Sequence, residues 1–221
     1  MFIINLPKNQ IMNIASDSLS PRQMFIVFLI YGTAILPWIG VIIGTFLGKM
    51  KHYVIKTMAF MTLVAAFGWE LWFNYGILSG MSVEKRRPTH LNAAIPIHIN
   101  WLLNSLCDGS ICLIGIWLLP KIEIKNKRTS TWSWKSIITV LLWFVGQNIF
   151  VEMVIYSGQL QDEFSISWAP LSPLGPWINP TLVAIGQSKC RLQAQMPWLF
   201  MVPIFFSTLK KFSNDNISKI P

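Results

Sequence analysis

The chain has 221 residues, of which 53% are hydrophobic and only 12% charged, and its formal net charge is +9. A soluble domain carries about 25% charged residues, so this composition argues against a soluble domain and indicates an integral membrane protein. The basic residues lie mainly in short loops between apolar segments, without the basic stripe and interleaved aromatic residues that bind nucleic acid, and no nucleic-acid partner is expected.

Five segments are long and apolar enough to cross a bilayer as helices, which takes about 20 residues each. An N-terminal extramembrane segment, residues 1–23, precedes them, and a tail, residues 210–221, follows. The sequence therefore predicts an all-α protein, a polytopic transmembrane bundle of about five helices in one domain, residues 24–209. The predicted spans are residues 24–48, 54–77, 94–119, 136–157 and 192–209. The Pro- and Gly-rich stretch 169–187 is interpreted as an interfacial or re-entrant loop.

The distribution of Lys and Arg predicts the orientation. One side of the predicted bundle holds 11 of the 18 basic residues, and the other side holds 7. The side with 11 comprises the first and third loops between spans, the borders of these loops, and the C-terminal tail. Cytoplasmic loops carry the excess of positive charge. We therefore expect the N-terminus outside and the C-terminus in the cytoplasm.

Three acidic residues lie inside the predicted spans, Glu70 in the second, Asp108 in the third and Glu152 in the fourth. A charged side chain at the centre of a bilayer costs about 2.5–3.5 kcal/mol on insertion scales, so each acid is a functional candidate by default. Asn74 lies four residues after Glu70, and Asn148 lies four residues before Glu152, so each amide shares a helix face with its acid. We expect the three acids to be catalytic residues.

The third span carries Asn100, Asn104 and Asp108 at a spacing of four residues, which places them on one helix face. Three helices thus present stripes of acid and amide at overlapping depths. Lipid cannot satisfy such stripes, so they must face each other or water in one cavity. The alternative is structural, because amides in membrane helices often only join helices, and a protonated acid can hydrogen-bond to an amide.

Four tryptophans near these acids could offer π-faces to a cation or a developing carbocation, although an interfacial aromatic belt is the alternative. His98, near one end of the third span, is either an interface residue or part of the site. The candidate ligand-binding residues are Trp69, Trp72, Asn74, His98, Asn100, Trp101, Asn104, Trp143, Gln147 and Asn148. The loop SVEKRRPTH, residues 82–90, is expected to contact lipid headgroups, with a phosphate-bearing ligand as the alternative. The sequence shows no metal-ligand spacing, and no metal or cofactor is expected.

Three short motifs resemble the emopamil-binding, or EXPERA, family of sterol Δ8–Δ7 isomerases and sterol-binding relatives. The motifs are Glu70-Leu71-Trp72-Phe73, Asp108, and Val145-Gly146-Gln147 followed by Glu152. The resemblance implies a compact helical membrane protein with intramembrane acids around a sterol-sized cavity, although this chain has Ala66 where the isomerases have a histidine. Gly68-Trp69-Glu70 is also similar to the Trp-Glu of integral-membrane terpene cyclases, in which a membrane acid protonates an epoxide or olefin.

Together these features predict acid–base isomerisation or cyclisation of an isoprenoid or sterol-like lipid in an acidic cavity. Glu70, in its aromatic setting, is expected to be the acid, and Asp108, with more polar neighbours, the base or the ligand anchor. Two alternatives stay open. One is a non-enzymatic lipid- or sterol-binding protein, and the other is a proton-coupled transporter, against which the absence of an internal repeat argues. The expected partners are membrane lipids and a hydrophobic small molecule.

Overall fold

The computed structural model describes residues 18–77, 81–123, 133–155, 159, 177–186 and 188–217, and this part of the chain is mostly helical. The helices are α1 Pro21–Phe46, α2 His52–Phe67, α3 Trp69–Tyr75, α4 Val83–Arg86, α5 Thr89–Ala94, α6 Ile97–Glu123, α7 Trp134–Phe150 and α8 Leu192–Ile217. A single π-helical turn, Val151–Ile155, continues α7, and the strands β1 Thr181–Ile185 and β2 Ser188–Arg191 form an antiparallel hairpin before α8.

Three helical segments are long and apolar enough to cross a membrane, namely α1, α6 as far as Leu119, and α7 with its π-helical turn. The bent pair of α2 and α3 meets the same criterion if it counts as one span. Helix α8 corresponds to the fifth predicted span, residues 192–209, but it is not among these segments. Its first turn carries Gln193 and Gln195, which lower its apolarity.

The outer surface of these helices is apolar. On α1, Phe28 is 76% exposed, Leu36 66% and Phe46 90%, and on α7 Leu142 is 68% exposed. Soluble monomers rarely expose contiguous apolar surface on this scale, whereas lipid-facing helices do. This pattern agrees with the composition and supports a membrane location.

Helix α6 lies at the centre and packs against α1, α2, α3 and α7. Its approach to α2 depends on Gly109. A Cβ atom at this position would overlap Thr62 Oγ1 and lie 3.0 Å from the Trp38 ring and 3.3 Å from Met58 O. Small residues allow the close backbone approach that stabilises helix pairs in membranes. Gly109 therefore sets the distance between the two helices directly beside Asp108.

The second predicted span, residues 54–77, is broken at Gly68, where α2 and α3 meet at 45°. A Cβ atom on Gly68 would lie 2.6 Å from Val64 O, so the tight turn requires glycine. Trp101 Nε1 donates to Ala66 O at 2.8 Å, which provides a partner for a carbonyl at the break. Such partners are needed wherever a helix is interrupted within a membrane.

Other boundaries also differ from those predicted. The third predicted span, residues 94–119, begins only after Pro96, because proline fits the start of a helix but not its interior. The fourth, residues 136–157, corresponds to α7 and the π-helical turn. The predicted tail, residues 210–221, is helical as far as Ile217 because α8 continues.

The predicted N-terminal segment, residues 1–23, falls mostly outside the described residues. Helix α1 begins within it, at Pro21, where Ser20 and Gln23 form a reciprocal N-terminal cap. The stretch 169–187, interpreted as a loop, contains all of β1, and Gly186 turns the hairpin with a φ of +59°. The all-α prediction did not include this hairpin.

Candidate functional site

A cavity of about 1000 Å³ lies between α1, α3, α6, α7 and α8. Nine of the residues singled out in the sequence line it, namely Trp69, Glu70, Trp72, Asn104, Asp108, Trp143, Gln147, Asn148 and Glu152. The three acids therefore face one cavity, although they come from three separate segments. Most of the remaining wall is apolar, and no lysine or arginine is among the described residues that line it.

The other four candidates do not line the cavity. Asn74 and Asn100 are buried beside it and hydrogen-bond to each other. His98 is exposed, and its Nδ1 lies 2.9 Å from the Tyr75 hydroxyl. Trp101 donates to the backbone at the α2–α3 break. The ligand-binding role expected for these residues is therefore not supported by their position, and their observed contacts are with other protein groups.

Glu70 and Asp108 form a pair of buried carboxyl groups. Glu70 lies in the first turn of α3, directly after the break, and is 5% exposed, while Asp108 lies on α6 and is 7% exposed. Trp69 Nε1 donates to Asp108 Oδ2 at 3.0 Å, and Asn74 Nδ2 donates to Glu70 Oε2 at 2.9 Å. The two acids are close enough for the charge of Glu70 to act on Asp108. Each of the two acids is also bound by a separate donor of the protein.

Asn104 lies beside this pair and interacts with Glu70. Its side chain faces Glu70, but its Nδ2 atom is buried without a hydrogen-bond partner among the described residues. Gln193, at another part of the cavity wall, has Nε2 and Oε1 atoms that are also buried without a hydrogen-bond partner among the described residues. A buried polar atom without a partner costs about 1–3 kcal/mol. These amides are therefore suited to a ligand that brings an oxygen atom into the cavity.

Glu152 is held by a separate group of side chains. It lies in the π-helical turn, a rare element that occurs often at functional sites. Gln195 Nε2 lies 3.3 Å from Glu152 Oε2 and 3.2 Å from Cys190 Sγ, and Asn148 Nδ2 donates to Gln195 Oε1 at 2.9 Å. Burial raises the pKa of the Cys190 thiol to about 12, so at neutral pH it is a proton donor and not a nucleophilic thiolate.

The tryptophan rings of Trp69, Trp143 and Trp198 line the cavity, and Phe144 packs behind Trp198. The Trp69 ring lies 6.1 Å from that of Trp198, which lies 5.3 Å from Phe144. Trp143 Nε1 donates to Ile111 O at 2.9 Å, which fixes the indole at the cavity wall. Aromatic faces attract positive charge by about 0.5–2 kcal/mol. A cationic centre in the cavity would be stabilised here.

The sequence reasoning missed three residues that shape the site. Gln195 could have been found by the rule that found the asparagines, since it is an amide in an apolar segment. Trp198 lies in the same segment and was not distinguished from interfacial tryptophans. Arg87 was expected at lipid headgroups with Arg86, but both are only 2% exposed. The protein itself supplies acceptors for these two guanidinium groups, and the headgroup contact expected of the loop as a whole stays a prediction.

No protein-family model, no curated protein and no solved structure matches this chain. Among the described residues, no group of three or more His, Cys, Asp or Glu side chains is placed to hold a metal ion. The chemistry of the cavity is therefore the basis on which a function can be inferred.

Proposed function

We propose that this chain is an integral membrane protein that binds an isoprenoid or sterol-like lipid in its acidic cavity and isomerises or cyclises it by acid–base chemistry. The observation that supports this proposal is the Glu70–Asp108 pair, two buried carboxyl groups that face an apolar cavity of about 1000 Å³. Low-dielectric surroundings favour the neutral form of a carboxyl group, so one member of such a pair can keep its proton while the other accepts one.

In the proposed isomerisation, the protonated carboxyl gives its proton to one carbon of a double bond, and a carbocation forms at the other carbon. The carboxylate then removes a proton from a carbon next to the cationic centre, and a new double bond forms. The lipid gains one hydrogen and loses another, so its composition is unchanged. The proton then returns from the second acid to the first, which restores the starting state. In a cyclisation, a second double bond of the lipid attacks the cation and closes a ring before this final proton loss.

The size and lining of the cavity suit a lipid with one polar end. The cavity volume lies at the upper end of the range of about 300–1000 Å³ for small-molecule sites. The Trp69 and Trp198 rings lie where a carbocation near the acids would be stabilised. Asn104 Nδ2 has no partner within hydrogen-bond distance among the described residues, so it is suited to a hydroxyl, carbonyl or epoxide oxygen of the ligand. Glu152 is proposed to bind or orient another part of the same molecule.

The proposed orientation keeps the N-terminus outside and the C-terminus in the cytoplasm. It is supported by the excess of Lys and Arg on one side of the predicted spans.

Deuterium incorporation tests the reaction even while the substrate is unidentified. The purified protein is incubated in D₂O with an isoprenoid and sterol extract of membranes, and the lipids are analysed by mass spectrometry. Because the proton of a carboxyl group exchanges with solvent, one carbon-bound deuterium should enter the lipid that the protein converts. Glu70→Gln and Asp108→Asn should slow this incorporation about 10²–10⁴-fold, which is the usual contribution of a general acid or base.

Glu84→Gln is the matched control, because Glu84 is an exposed carboxyl outside the cavity and its loss should leave incorporation unchanged. If the unmodified protein incorporates no deuterium into any lipid, the enzymatic proposal fails. A lipid that co-purifies with the protein but gains no deuterium would then favour the lipid-binding alternative.

A further inference from the structure

A chain of buried hydrogen bonds connects Arg87 to Glu70. Arg87 Nη1 donates to Asn100 Oδ1 at 3.1 Å, Asn100 Nδ2 donates to Asn74 Oδ1, and Asn74 Nδ2 donates to Glu70 Oε2 at 2.9 Å. Asn74 is fully buried, and the other three side chains are 2–5% exposed. We refer to Arg87, Asn100 and Asn74 as the relay. The relay connects a buried positive charge to one member of the acid pair through two amide side chains.

The direction of every hydrogen bond in the relay follows from the guanidinium group. Arginine has donors and no acceptor, so the oxygen of the Asn100 amide must face it. The Asn100 nitrogen then faces Asn74, whose oxygen accepts, and this leaves the Asn74 nitrogen to donate to Glu70. All three hydrogen bonds therefore point from the cation to the carboxyl group. A chain polarised in this sense stabilises negative charge at its last acceptor.

The guanidinium is fixed at its own end of the relay. Arg87 Nη2 donates to Ile95 O at 2.8 Å, and Arg87 Nε donates to Asn92 Oδ1 at 3.2 Å. These bonds hold the planar group in one orientation, so the relay does not depend on a mobile surface side chain. The sequence between α4 and α6 thus has a role in the site, although it does not line the cavity.

Asp108 has different surroundings. Among the described residues, its hydrogen-bond donor is the neutral indole of Trp69, and the ionisable groups that interact with it are Glu70 and the thiols of Cys107 and Cys112 on the same helix. A neutral donor stabilises a carboxylate less than a chain that ends at a cation. The charge of Glu70 acts on Asp108, and two carboxylates that interact repel each other, so a single proton on the pair is favoured at the acid whose anion is less stabilised.

We propose that the relay holds Glu70 as the ionised member of the pair, so that Asp108 is the proton donor and Glu70 the base. The assignment of the two roles rests on the proposed function, but the protonation state itself does not. This assignment reverses the order expected from the sequence, in which Glu70 is the acid. Asp108 gives its proton to the lipid, Glu70 accepts the proton that the lipid loses, and the proton then passes back to Asp108. The relay residues act through Glu70 and are positioning residues.

Infrared spectroscopy of the ligand-free protein tests this proposal, because a protonated carboxyl group has a C=O band that is separate from the carboxylate bands and shifts in D₂O. We expect a band of this kind to be lost in Asp108→Asn and retained in Glu70→Gln. Asn100→Leu cuts the relay and leaves both acids in place, so it should change the distribution of the proton between them and alter the band. Asn92→Leu is the matched control, since it removes a hydrogen bond to the same guanidinium but leaves the relay intact.

If Asn100→Leu does not fold, Arg87→Gln and Arg87→Lys replace it. Lysine keeps the positive charge and should preserve the band pattern, whereas glutamine should alter it. A merely structural relay would affect stability and leave the band unchanged in every folded variant, and this result would overturn the proposal. Loss of the band in Glu70→Gln, with its retention in Asp108→Asn, would overturn it as well. These spectra require no turnover, so a failure here is distinguishable from a negative result in the deuterium experiment.

Discussion

The close contact at Gly109 gives the sharpest prediction about stability. Adding one methyl group in Gly109→Ala would force it against Thr62 Oγ1, the Trp38 ring at 3.0 Å and Met58 O at 3.3 Å. Overpacking of this kind costs about 1–3 kcal/mol. The replacement of glycine by alanine within a helix raises the free energy of unfolding by about 1 kcal/mol through helix propensity. We expect Gly109→Ala to lower the free energy of unfolding by about 0–2 kcal/mol.

Gly146→Ala is the control for this substitution. Gly146 lies on α7, also within a helix, but a Cβ atom there would have nothing within 4 Å. This variant should gain about 1 kcal/mol from helix propensity alone. The difference between the two variants therefore measures the contact between α2 and α6, and we expect it to be about 1–3 kcal/mol.

Equilibrium unfolding in detergent micelles, followed by circular dichroism, would measure both free energies. Thr62→Ala removes the atom that the new methyl group overlaps, and this hydroxyl has no hydrogen-bond partner among the described residues, so the double variant should recover part of the loss. If Gly109→Ala is as stable as Gly146→Ala, the two helices do not approach each other as closely as described, and the placement of Asp108 beside Glu70 loses its support.

Three further predictions concern the bend, the third acid and the orientation. Trp101→Phe removes the donor to the carbonyl at the α2–α3 break and should cost about 1–3 kcal/mol in the free energy of unfolding, measured in the same assay. Gln195→Leu removes a hydrogen bond to Glu152 and should slow deuterium incorporation without abolishing it, because the acid pair is unchanged. In a background without native cysteines, Ser82→Cys should react with an impermeant thiol reagent only from outside and Lys51→Cys only from the cytoplasm, and the opposite pattern would reverse the orientation.

The periodicity of the sequence was sufficient to predict the acid-and-amide stripes. Asn74 does hydrogen-bond to Glu70 four residues earlier, and Asn104 and Asp108 lie on the face of α6 that meets Glu70. These contacts follow from helical geometry and from the cost of polar groups in lipid, both of which a single chain reveals. The roles of the three acids remain predictions.

Features that depend on tertiary contacts could not be predicted in the same way. The break at Gly68 lies in an apolar segment that reads as one continuous helix, because glycine alone does not distinguish a bend from a close helix contact. The burial of Arg87 depends on acceptors from distant residues such as Asn100. Asn148 was expected to share a stripe with Glu152, but Gln195 bridges them from another helix. Each of these features depends on which helices are neighbours in the folded chain.

The identity of the molecule in the cavity tests the central proposal most directly. The protein and two variants are purified in mild detergent, and the lipids they carry are extracted and identified by mass spectrometry. Ala194→Trp places a large ring on the cavity wall, whereas Leu142→Trp makes an equivalent change on the exposed face of α7. We predict that the unmodified protein and Leu142→Trp carry an oxygen-bearing isoprenoid or sterol-like lipid and that Ala194→Trp does not. The same bulk phospholipids in all three proteins, with no isoprenoid lipid, would contradict the account.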